Sequence, residues 1–163
     1  MMRGIVRAGA TILALGALSA CGSSGDEDGF GALTVSDLDN PPIEGHFTGS
    51  PEDVDGTLGL THNGCVTVTV DGVARVAFWP AGTTVEDHGG TYTIDIPDRP
   101  DLHAAADSGD TFHATAVVDE TAGDFVAKDG SSDGKAAQYL TYCAVDAAPI
   151  AFFDAGSIAP STA

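Results

Sequence analysis

Positive charge is what this chain has least of. Six lysines and arginines stand against 24 aspartates and glutamates in 163 residues, a formal charge of −18. Such a surface repels phosphate backbones and anionic headgroups, which excludes nucleic acid and charge-driven lipid binding by the folded part. What it does attract, diffusely, is calcium or magnesium. Catalytic signatures are missing too. There is no Gly-x-Ser-x-Gly elbow, no glycine-rich phosphate loop, no His-x-His or His-Glu-x-x-His pair, and no free cysteine beside a histidine. The reading is a non-enzyme without cofactor or resident metal. Aspartate and glycine do cluster at Asp53–Gly56 and Asp129–Gly134. Neither fits a calcium loop: with Gly56 as the turn glycine the loop starts on Pro51 and ends on His62, and with Gly134 it ends on Leu140. Both read as turns.

Long apolar runs are also lacking. The first, Ala8 to Leu18, is about 11 residues, too short to span a bilayer as a mature helix. It follows Arg3 and Arg7 and precedes small residues, the order of an export signal. Leu18-Ser19-Ala20-Cys21 then resembles the lipobox of bacterial lipoproteins, and all four positions match. The resemblance implies a diacylglyceryl thioether on Cys21 and cleavage before it. Residues 1–20 would then be the signal peptide, and loss of its two arginines would bring the charge to about −20. The glycine-, serine- and acid-rich stretch that follows reads as a tether over 21–42, with a random-coil reach of about 25 Å. The expected location is the cell membrane, lipid-anchored and facing out of the cytoplasm.

Cysteines number only three. With Cys21 lipidated, Cys65 and Cys143 remain as an even pair in an oxidising compartment, which predicts a disulfide. It closes a loop of about 79 residues, for which chain entropy credits at most about 4–5 kcal/mol.

From Ile43 to the end, assigned to one domain over 43–163, the pattern is β. Val66, Val68 and Val70 alternate with Thr67 and Thr69, and Asp71-Gly72 suits a tight hairpin returning through Val73 to Trp79. Thr91 to Ile96 and Thr111 to Val118 alternate likewise. Shorter strands are expected over Ile43–Phe47, Gly56–Leu60 and Pro149–Phe153, with a helical turn between Pro100 and Ala106. Ala136 to Val145 suits a short helix or a strand. Cys65 shares parity with the outward threonines, so a bridge to Cys143 requires that stretch to lie over the outer face of the sheet. The expected fold is all-β: a small barrel of five to seven short strands.

Asn63 to Thr83, NGCVTVTVDGVARVAFWPAGT, resembles a recurring pattern in small secreted or lipid-anchored bacterial β domains. There a Gly-Cys opens a strand and a hairpin returns to an aromatic-Pro-x-Gly-Thr corner. A later Gly-Asp (Gly109-Asp110) precedes another strand, and a second cysteine lies near the last one. The resemblance covers roughly 100 residues. It implies an oligonucleotide/oligosaccharide-binding-type barrel, supports the Cys65–Cys143 link, and is silent on ligands. Trp79 reads as corner packing or as a stacking platform, and Arg75 shares its parity, so the two form a candidate binding patch. The functional reading is a membrane-anchored, non-catalytic binding or adaptor module for an envelope protein or small ligand. The alternative is a divalent-metal-binding envelope protein using carboxylates with His62, His88 or His113.

Overall fold

Asp71 and Gly72, with φ of 52° and 78°, form the two-residue turn whose left-handed backbone matches the twist of a strand pair. They join Val66–Val70 to Val73–Trp79, and the hairpin they close is the centre of the fold. The computed structural model describes residues 31–121 and 123–161. In chain order the strands are β1 (Leu33–Thr34), β2 (Glu52–Leu60), β3 (Val66–Val70), β4 (Val73–Trp79), β5 (Thr84–Asp87), β6 (Thr91–Asp95) and β7 (Leu102–Ala105). β8 (Thr111–Val118), helix α1 (Lys135–Cys143), β9 (Ile150–Ala151) and β10 (Ala159–Pro160) follow.

Five strands close a ring. β2 pairs antiparallel with β3 and β8, and β3 with β4. β9 is the latch, parallel to β4 through Ala77↔Ile150 and antiparallel to β8 through Val118↔Ile150. This is the small all-β barrel expected from the alternation, with oligonucleotide/oligosaccharide-binding-type connectivity. Its interior holds Val66, Val68 and Val70 from β3, as predicted, with Phe112, Ala114 and Ala116 from β8. Trp79 stacks on Phe152 at 5.2 Å between ring centroids, and Phe112 meets Phe152 edge-on at 5.6 Å. The antiparallel sheet β5–β6–β7 caps one end, adding Ile94, Ile96, Leu102 and Ala104 to the same core.

A second layer lies outside the ring. The apolar face of α1, namely Ala136, Tyr139 and Cys143, packs with Leu33, Cys65, Val76 and Phe78. The open choice at Ala136–Val145 resolves to a helix on the outer face of β3, so even Thr67 is buried there. Burial pushes the Tyr139 phenol up to about 12.

Three expectations need correction. The packed domain begins about ten residues before Ile43, because fully buried Leu33 pairs with Phe78, so the end of the expected 21–42 tether belongs to the fold. Ile43–Phe47 is no strand: Ile43 makes one bridge, to Ala127, and Phe47 has a φ of 53°. The helical turn expected within Pro100–Ala106 is instead strand β7, paired to β6. The proposed signal peptide and Cys21 lie outside the described residues.

Candidate functional site

Two loops and α1 form a groove of about 1060 Å³. One wall is the segment 119–132. The other is the exposed side of α1, with Ala137, Gln138, Leu140 and Thr141, continuing into 145–149.

The first wall is held from behind by the chain that precedes β2. His46 Nδ1 lies 2.6 Å from Asp119 Oδ2, with side chains only 6% and 1% exposed. Asp119 also accepts from the amides of Thr121 at 3.0 Å and Phe47 at 3.4 Å. Burial acts to raise its carboxyl, but the hydrogen bonds from His46, Thr121 and Phe47 outweigh that and hold it below the usual carboxylate range. Asp119 is therefore ionised, and His46 Nδ1 donates to it. The same imidazole stacks on Phe125 at 3.9 Å, and Phe125 stacks on Phe78 at 5.5 Å. Thr121 Oγ1 donates to Gly45 O, Lys128 N donates to Pro42 O, and Lys128 Nζ pairs with Glu44. One loop thus braces the other along its length.

The second wall is fixed by the disulfide. Cys65 and Cys143 are bonded, with Cα atoms 5.7 Å apart, the pairing that the cysteine count predicted. Tyr142 Oη donates to Asn63 O at 3.1 Å, and Asn63 Nδ2 donates back to Tyr142 O. Arg75 Nη1 donates to Ala148 O at 2.7 Å, tying the 145–149 loop to β4.

The Trp79–Arg75 patch is corrected by these positions. Trp79 is 1% exposed inside the barrel, so it packs the core and presents no platform. Arg75 is half-buried, with its Nε buried and lacking a partner, and it serves as a brace behind the groove. The histidines considered as ligands stand apart. His62 is exposed in the turn before Cys65, His88 pairs with Glu86 at 3.5 Å, and His113 pairs with Asp55 across β2 and β8. Among the described residues no group of three or more His, Cys, Asp or Glu side chains is placed to hold a metal ion.

The His46–Asp119 pair escaped the sequence reading. Its members are 73 residues apart, and nothing in either local pattern marks them. The one available signal was an aspartate directly after the strand ending at Val118, where a buried strand end needs its backbone satisfied. Comparison of the chain with protein-family models, with curated proteins and with solved structures finds no match.

Proposed function

We propose that this protein is a lipid-anchored, non-catalytic binding module of the cell envelope, which engages its partner in the groove beside α1. The observation that carries the reading is the groove itself. Its two walls are braced by a disulfide, a buried His46–Asp119 hydrogen bond and a stack of aromatic rings, so it is preformed rather than assembled on contact. A non-catalytic role is supported by the seclusion of the buried His46–Asp119 pair. With Phe125 stacked on the imidazole and both side chains almost fully buried, the pair serves to brace the wall.

The anchor rests on Leu18-Ser19-Ala20-Cys21. Residues 22–31 lie between Cys21 and the packed domain, and they span at most about 35 Å however they are arranged. The module would work within one domain's breadth of the bilayer. Two acyl chains suffice to hold it there.

The test has two arms, both on the full chain in its native host. Cys21→Ser should leave unprocessed or soluble protein that no longer enters the detergent phase. A photo-crosslinking residue at exposed Gln138 should trap a discrete partner, identified by mass spectrometry, whereas one at exposed Thr91 on β6 should not. Continued processing and membrane retention of the Cys21→Ser chain would refute the anchor. Trapping from Thr91 with none from Gln138 would refute the groove.

A further inference from the structure

The groove's lining carries a sign. Asp119, Asp124 and Asp146 contribute to it, while no lysine or arginine does. Asp124 and Asp146 are exposed and stand on opposite walls, one in the 119–132 segment and one in the 145–149 loop. Asp119 lies deeper, already engaged by His46.

A second observation is independent of charge. Four large apolar side chains are exposed among the described residues, and two of them, Val126 at 38% and Tyr142 at 50%, line this groove. Between them lie buried Phe125 and half-buried Leu140 and Val145. Exposed apolar surface beside exposed carboxylates marks a place where a partner replaces water.

The groove is also only partly enclosed. A small organic cation would leave much of its surface in water there, whereas tight small-molecule sites bury most of the ligand. A chain segment meets both walls at once.

We propose that the groove takes an extended, basic segment of a partner protein. Its lysine or arginine side chains would reach Asp124 and Asp146, and its apolar side chains would cover Val126, Leu140 and Tyr142. This deepens the groove reading above and rests on it. The net charge of −18 adds long-range attraction for such a partner, so association should be fast at low salt and should slow as salt rises.

The experiment uses full chain purified in detergent and fluorescence anisotropy with a short peptide of alternating lysine and leucine. An alternating glutamate–leucine peptide and the polyamine spermine serve as comparisons. Saturable binding of the lysine–leucine peptide is expected, weakened about tenfold in the double variant Asp124→Asn/Asp146→Asn. A control double variant outside the groove, Asp71→Asn/Asp101→Asn, makes the same change in net charge and should shift binding less than about twofold. Unchanged melting temperatures would confirm that both variants fold.

Equal weakening by both double variants would reduce the effect to general attraction and overturn the proposal. So would equal binding of the glutamate–leucine peptide, or competition by spermine at matched charge. If Gln138 traps a partner whose contacting segment carries no basic residue, this inference falls while the groove reading stands. If Gln138 traps nothing, both fall.

Discussion

Gly56 sits in the middle of β2 facing Phe112, and the barrel is narrow at that point. A Cβ there would stand 2.7 Å from the Phe112 ring and 2.9 Å from Val68 Cγ1, both fully buried and with nowhere to move. Gly56→Ala should therefore destabilise the domain by about 1–3 kcal/mol, read from urea unfolding, even though alanine suits a strand better than glycine. Asp119 makes the second prediction. Its carboxyl is held below the ordinary range in the folded state, so its contribution is present above the unfolded value near 4 and is lost as pH falls through the folded one. Melting temperature should drop below about pH 4, and Asp119→Asn should flatten that acid limb. At neutral pH the same variant should cost about 1–3 kcal/mol, because its NH₂ group must face either His46 Nδ1–H or the amides of Phe47 and Thr121 and leaves a buried donor unpaired. A flat acid limb in the wild type would contradict this account.

What the alternation could and could not reveal is clearest among the elements. β3 and β8 were legible because each has one face on the barrel interior, which imposes a period of two on Val66–Val70 and Phe112–Val118. β7 was misread because Leu-His-Ala-Ala has high helical propensity. Pairing with β6 and contact with β2 override that preference. β1 has no pattern of its own: two residues become a strand only because β4 extends past the end of β3. The groove walls were the least legible part. Its first wall follows from contacts between residues 42–47 and 119–128, which no local spacing reports. The placement of 136–145 over the outer face, by contrast, followed from one parity, since Cys65 points away from the valines and its partner had to lie above it; that the stretch is a helix did not. Reducing Cys65–Cys143 should therefore loosen α1 before the ring opens, with a stability loss of up to about 4–5 kcal/mol. Thermal unfolding with and without reductant measures it, and detergent partition should be unaffected because the anchor proposed at Cys21 does not involve the disulfide. A reduced protein that melts as the oxidised one does would show that α1 is held by packing alone.

At the scale of the whole molecule, β4 is flanked by both extremes of the folded chain. β1, at its start, and β9, near its end, each lie parallel to β4, at Phe78 and at Ala77 and Phe78. The other ring contacts, β2–β3, β3–β4 and β2–β8, involve only segments present once β8 has been made, but the link between β4 and β8 waits for β9. A chain emerging N-terminus first thus carries an unfinished cylinder until residues 150–151 are out. A chain stopped after Ala148 should stay sensitive to protease, while one extended through Ser161 should become resistant within a single folding step. The latch arrives late, so the barrel takes its final shape only after every other strand of the ring is present.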